Sequence, residues 1–287
     1  MPAGGKQLKR ILVVDDDPDL CDVLNDLLSA EYSVTTLKTG LEALWALQRQ
    51  PYDLVLLDIW LPRLNGLELL AELRSRQIPV KVIIMTGDNT PEMVLRAVRE
   101  QAFHYLTKPF KPQHLLELVR GALAASPEPA PIEVISARRD WVELLVPCDP
   151  AIADRLQSFL EQLETDLPPS VRQSIGEAFR EILLNAVEWG GHLDPNHKVR
   201  IAYLRARRML LYRIADPGTG FRFEGLDHAA VSNPPDQPFQ HAEARAAKGL
   251  REGGFGILMA RAKVDELLYN EAQNEVVLVK YLEEPPA

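Results

Sequence analysis

The sequence has little cysteine, an excess of acid over base, and no long apolar run. Only two cysteines, Cys21 and Cys148, occur among 287 residues. Neither belongs to a Cys-x-x-Cys pair and they fall in different halves, so a disulfide framework is not expected. A reduced, cytoplasmic setting is the simplest expectation. Lysine and arginine number 32 against 41 aspartates and glutamates, a formal net charge of −9. That balance argues against nonspecific binding to nucleic acid or to an anionic membrane, because both require a basic surface. It suits a protein that works on another protein. No stretch approaches the roughly 20 apolar residues of a membrane span. The basic, polar opening of the chain lacks the apolar run of a signal peptide.

A regular alternation is present instead. Residues 11–14, 33–37, 54–57, 80–85 and 103–106 are short runs that read as strands, and helical patterns follow each of them. Asp17-Pro18 opens the first helix, with Leu20, Val23, Leu24, Leu27 and Leu28 at helical spacing. Apolar strands alternating with helices predict an α/β domain, a doubly wound five-stranded parallel sheet covered on both faces. Three prolines between residues 126 and 131 then predict an extended, semi-rigid linker. The expected division is a first domain over 1–124, a linker over 125–131 and a second domain over 132–287.

The second half reads as α+β, with helices on one face of a sheet. Residues 141–146, 198–204, 209–215 and 275–281 pattern as strands, and 149–163, 168–189 and 256–265 as helices. The stretch 221–254 is long, proline-rich and weakly periodic, as functional or mobile loops are.

Four motifs in the first half stand at strand ends: Asp15-Asp16-Asp17, Asp58, Thr86 and Lys108-Pro109. Singly, each has a plainer reading, such as a helix cap or a surface loop. In a doubly wound sheet, however, the carboxyl ends of the strands share one edge, where ligands bind. Carboxylates gathered there repel one another, and a hard cation such as Mg²⁺ relieves the repulsion. A cation beside a carboxylate, a hydroxyl and an ammonium is the equipment of phosphoryl transfer.

The order Val13-Val14-Asp15-Asp16, Leu57-Asp58, Met85-Thr86-Gly87 and Tyr105-Leu106-Thr107-Lys108-Pro109-Phe110 resembles the receiver domains of two-component response regulators, which have a flavodoxin-like sheet. The resemblance implies that Asp58 accepts a phosphoryl group from a histidine kinase or phosphotransfer protein. It implies that Asp15, Asp16 and Asp58 bind Mg²⁺ together with the backbone carbonyl of Trp60. Lys108 would pair with the phosphoryl oxygens, and Thr86 and Tyr105 would be the switch pair.

In the second half, Glu177, Glu181, Asn185 and Glu188 fall on one helical face, which is also what the wet side of an amphipathic helix looks like. Asp216-Pro217-Gly218-Thr219-Gly220 follows a strand, either as a tight turn or as a base-binding loop that passes close to a ligand. Gly253-Gly254-Phe255-Gly256 leads into a helix whose exposed N–H groups could cradle phosphate. In this order the three resemble the Bergerat-fold (GHKL-type) ATP-binding domains, and especially the anti-sigma-factor serine/threonine kinases. The resemblance implies that Asn185 binds Mg²⁺ bridging the ATP phosphates and that Glu181 is the general base. It implies that Asp216 recognises adenine beside Gly218 and Gly220, that Gly254 and Gly256 form the second glycine box, and that residues from about 222 to 253 form an ATP lid. Trp189-Gly190 departs from the usual His-Gly of those kinases. No dimeric hairpin with a phosphorylated histidine fits between the two halves, so a histidine kinase is disfavoured. The expected activity is phosphorylation of an anti-anti-sigma-type partner under control of Asp58, with a homodimer by analogy. The alternative is a nucleotide-dependent binding switch without significant turnover.

Overall fold

A computed structural model describes residues 8–87, 90–125, 131–138, 140–164, 166–222, 254–282 and a few positions between 230 and 243. The chain divides into two units, residues 1–129 and 130–287.

The first unit alternates strand and helix: β1 Arg10–Val14, α1 Pro18–Leu28, β2 Ser33–Leu37, α2 Gly40–Arg49, β3 Leu54–Asp58, α3 Gly66–Ser75, β4 Lys81–Thr86, α4 Pro91–Arg99, β5 His104–Thr107 and α5 Pro112–Ala124. All five strands are parallel, in the order β2-β1-β3-β4-β5. β3 and β4 are buried along their whole length, which requires cover on both faces. On one side Ile11, Val13, Leu54, Leu56, Ile83 and Met85 pack with Leu24 and Leu28 of α1 and with Leu115 and Val119 of α5. Each such side chain contributes about 1.5–3 kcal/mol by leaving water. Helix starts are fixed locally. Asp17 accepts from the N–H groups of Asp19 and Leu20, and Asn65 and Glu68 form a reciprocal capping box for α3.

The second unit contains β6 Glu133–Arg138, β7 Trp141–Pro147, α6 Ala151–Leu163, α7 Pro169–Asn185, β8 Lys198–Ala206, β9 Met209–Ala215, α8 Gly256–Lys263, β10 Glu266–Tyr269 and β11 Glu275–Tyr281. Its six strands form one sheet in the order β10-β11-β9-β8-β7-β6, antiparallel throughout. Burial alternates along β7 and β9, as in a sheet with one covered face.

Three expectations need correction. β6 and β10 are strands beyond those the sequence pattern predicts. The last helix stops at Lys263 rather than 265, because Asp265 serves the next strand pair. It accepts from the Tyr281 N–H at 2.6 Å and from Lys280 Nζ at 2.9 Å. The helix expected over 168–189 is α-helical only to Asn185 and continues as one π-helical turn, Ala186–Gly190. The expected lid falls almost wholly outside the described residues, as does most of the expected linker.

Candidate functional site

β1 and β3 are neighbours, so Asp15, directly after β1, and Asp58, the last residue of β3, meet at the carboxyl edge of the sheet. Both are buried. Lys108, directly after β5, reaches across β4, and its Nζ lies 2.7 Å from Asp15 Oδ2 and 2.7 Å from Asp58 Oδ1. The remaining carboxylate oxygens have fixed donors. Asp15 Oδ1 accepts from the Asp17 N–H at 3.1 Å, and Asp58 Oδ2 accepts from the Trp60 N–H at 2.7 Å. Burial raises the pKa of Asp15 and outweighs the opposing effect of Lys108. Burial alone would lower the pKa of Lys108, but hydrogen bonds and charges from Asp15 and Asp58 outweigh it and raise the value. The ammonium therefore keeps its charge between two acids.

Close backbone contacts support this edge. A Cβ on Gly66 would lie 2.1 Å from the Asp58 carbonyl oxygen, so only glycine lets α3 start there. The Lys108 N–H donates to the Thr86 carbonyl at 2.8 Å, tying the loop after β5 to the end of β4. Thr86 and Tyr105 are both fully buried. Asp16 is exposed in the turn after Asp15. Trp60 contributes its N–H, while its ring is exposed. Among the described residues, no three acidic, imidazole or thiol groups are assembled as a metal-ligand set. The cation between Asp15 and Asp58 in this arrangement is Lys108. Two facing carboxylates beside a third in the adjoining turn nevertheless have the all-oxygen chemistry that suits Mg²⁺.

In the second unit, Glu181, Asn185, Asp216, Gly218, Gly220, Gly254 and Gly256 all line one cavity of about 520 Å³. That is within the usual size range of small-molecule sites. α7 supplies Glu181 and Asn185, its π-helical end supplies Glu188 and Trp189, and the loop after β9 supplies Asp216, Gly218, Thr219 and Gly220. Glu177, on the same helical face, points elsewhere and pairs with Lys263 of α8.

Glycines at these positions keep the backbone close to the acidic side chains of the cavity or in a left-handed conformation. A Cβ on Gly190 would lie 2.2 Å from Asp216 Oδ1, and one on Gly256 would lie 2.8 Å from Glu181 Oε2. Gly220 and Gly254 have φ of 83° and 102°, which side-chain-bearing residues rarely adopt. The Gly218 N–H donates to Asp216 Oδ1 at 2.8 Å and orients that carboxylate. Burial raises the pKa of Asp216, with the Gly218 N–H and the charge of His192 opposing the rise.

Sequence reasoning missed His192, Phe221, Tyr269 and Asn274, which also line the cavity. Phe221 and Tyr269 meet edge to face with ring centroids 5.6 Å apart. None of the four lies in a motif, and the antiparallel pairings of β11 with β9 and with β10 are what bring Tyr269 and Asn274 near the loop after β9. Cys148 is buried under Gly191, and its thiol is pushed up to about 11 by burial and by Asp216 and Asp194, so it stays protonated and serves packing.

Comparison with known proteins finds a family-model match in each half of the chain. The family model for the response regulator receiver domain matches residues 11–120, and that for the histidine kinase-like ATPase domain matches residues 146–280. The chain is 35% identical over 184 residues to the DNA-binding response regulator MtrA of Mycolicibacterium smegmatis, covering 63% of this chain and 78% of that protein. It is 31% identical over 181 residues to the transcriptional regulatory protein GlrR of Escherichia coli, covering 62% of this chain and 39% of that protein. Among solved structures, a CheY-like response regulator receiver domain protein from Methanospirillum hungatei is 35% identical, with 41% of this chain and 94% of that one covered and a TM-score of 0.40. No helix among the described residues is long and apolar enough to cross a membrane. The chain belongs to the response regulators, and it joins their receiver domain to a histidine kinase-like ATPase domain.

Proposed function

We propose that Asp58 accepts a phosphoryl group and thereby controls a C-terminal ATP-dependent protein serine/threonine kinase of the anti-sigma-factor type. In the receiver step the Asp58 carboxylate attacks phosphorus on a phosphohistidine of a histidine kinase or phosphotransfer protein. A P–O bond forms as the P–N bond breaks, and the ring, already protonated on its other nitrogen, takes the P–N electron pair and leaves as neutral imidazole. Lys108, already hydrogen-bonded to Asp58, offsets charge on the transferred oxygens. Mg²⁺ bound by Asp15, Asp16, Asp58 and the Trp60 carbonyl would supply further neutralising charge. Thr86 and Tyr105 then respond to the phosphoryl group.

In the second unit, Asp216 would accept a hydrogen bond from the base amino group, and Asn185 would hold Mg²⁺ at the phosphates. Gly218, Gly220, Gly254 and Gly256 let the backbone approach the nucleotide. Glu181 would take the proton from a serine or threonine hydroxyl of an anti-anti-sigma-type partner as its oxygen attacks the γ-phosphorus, the bond from that phosphorus to the β,γ-bridging oxygen breaks and ADP leaves. The carrying observation is the cavity, which gathers all seven residues from three separated motifs.

The relatives named as DNA-binding need not share their output with this chain. The second half matches an ATPase model, and a net charge of −9 does not favour nucleic acid. Label transfer from γ-labelled ATP to candidate partners tests the kinase reading, and ATP binding without transfer to any of them would rule it out. A nucleotide-dependent binding switch is the second reading. Glu181 lies 3.6 Å from the Arg180 guanidinium, a neighbour that serves a binding surface as well as it serves a base. Partner binding that ignores nucleotide would dismiss that alternative.

A further inference from the structure

The turn between β10 and β11 is tied to the loop that carries Asp216. The Asp216 N–H donates to the Asn274 backbone carbonyl at 2.9 Å. The Asn274 side-chain amide donates to the Gly218 carbonyl at 2.9 Å. Gly220 passes so close that a Cβ there would lie 1.6 Å from the Ala272 carbonyl oxygen. Asn274 is itself held from behind. Its N–H donates to Asn270 Oδ1 at 3.1 Å, and its Oδ1 accepts from Asn270 Nδ2 at 2.8 Å. Asn274 thus grips the loop at Asp216 and Gly218, and the Gly218 N–H in turn orients the Asp216 carboxylate. Asn274 also lines the same cavity.

We propose that Asn274 is a positioning residue for base selectivity: it fixes the Asp216–Gly218 loop so that one carboxylate oxygen stays aimed at the 6-amino group of a purine triphosphate. The inference rests on the reading of Asp216 as the base contact. It concerns orientation rather than chemistry at the phosphates. A carboxylate free to rotate would still sit in the cavity, but it would lose its preference for a ligand that presents an amino donor there.

The test compares ATP with purine riboside triphosphate, which lacks the 6-amino group, by titration calorimetry on the full chain. The wild type should bind ATP about tenfold or more tightly than the analogue, as expected for a hydrogen bond to a charged acceptor. Asn274→Ala should reduce that ratio to about threefold or less, mainly by weakening ATP. Asn274→Asp is the sharper variant. It can still accept from the Asn270 amide, but it has no donor for the Gly218 carbonyl. Its ratio should fall as far as that of Asn274→Ala, while its melting temperature stays nearer the wild type. Equal weakening of both nucleotides in the two variants, with the ratio unchanged, would overturn the inference and leave only a structural role for Asn274. A wild type that binds both nucleotides equally would overturn the Asp216 reading itself, and a normal ratio in Asn274→Asp would overturn the inference while leaving that reading intact.

Discussion

Lys108 Nζ is equidistant from two buried acids, 2.7 Å from Asp15 and 2.7 Å from Asp58. This single ammonium makes it tolerable to hold two carboxylates together at the edge of a sheet. Replacing it with an isosteric apolar residue should have two separable effects. Lys108→Met should slow phosphorylation of Asp58 by acetyl phosphate by roughly 10- to 100-fold, the worth of one hydrogen bond to a charged group. It should also raise the Asp15 pKa further, because the first opposing influence on that carboxyl is Lys108. Carboxyl chemical shifts followed against pH would read the second effect, and Asp58→Asn should take up no label at all. Labelling of Asp58→Asn at the wild-type level would place the acceptor elsewhere.

Glu181 and Asn185 are one helical turn apart on α7 and line the same cavity, yet the proposed roles predict opposite kinetic signatures. Asn185→Ala should abolish measurable ATP binding. Glu181→Gln keeps the shape and should bind ATP within about threefold of the wild type. Its phosphotransfer should fall by about 10²- to 10⁴-fold, the usual contribution of a general base. Filter binding and single-turnover transfer, measured side by side, separate the two. Equal loss of binding in both variants would leave Glu181 without a chemical role.

The first unit was more legible than the second for a physical reason. In a parallel sheet, motif residues stand at strand ends and the topology alone brings them to one edge, so the positions of Asp15, Asp58, Thr86 and Lys108 along the chain are enough to place them at that edge. The second unit hides more. β6 is an edge strand with only partial burial, and β10 is only four residues long, so neither shows a clean period of two. Spacing placed Glu177, Glu181 and Asn185 on one face of α7, but it could not show that Lys263 would claim Glu177. The contribution of Asn274 was invisible because its partners lie 56 and 58 residues away, across a strand pairing. The π-helical turn after Asn185 has no pattern of its own, although it is what lays Gly190 against Asp216.

That contact makes a prediction. Gly190→Ala would place a methyl group 2.2 Å from Asp216 Oδ1, so the carboxylate must move. Overpacking of this kind costs about 1–3 kcal/mol. The displaced acid should lower ATP affinity by about tenfold or more, as expected for a lost hydrogen bond to a charged group. Phosphorylation of Asp58 by acetyl phosphate should be unchanged, since the receiver forms its own compact unit. Fluorescence titration with an ATP analogue would measure the first effect. Unaltered nucleotide affinity would show that Asp216 tolerates rotation.

The last prediction concerns an acid outside both sites. Glu164, just past α6, is only 1% exposed, and its carboxylate accepts from the Tyr212 hydroxyl on β9. Burial pushes its pKa up to about 7 against an ordinary 4.5, although Tyr212 and Arg205 act in the opposite direction. Between those two values the folded protein holds a proton that the unfolded chain releases. The stabilising effect of the neutral acid is therefore complete below about pH 4.5 and fades as the pH rises through 7. By pH 8 the burial of an ionised Glu164 should cost about 3 kcal/mol relative to the neutral form. Glu164→Gln keeps an oxygen for the Tyr212 hydroxyl but cannot ionise. It should be close to the wild type at pH 5 and distinctly more stable at pH 8. Urea midpoints measured across that range should converge at the acid end and separate toward alkaline pH, whereas parallel pH profiles for the two proteins would show that Glu164 titrates with its ordinary value in the folded state.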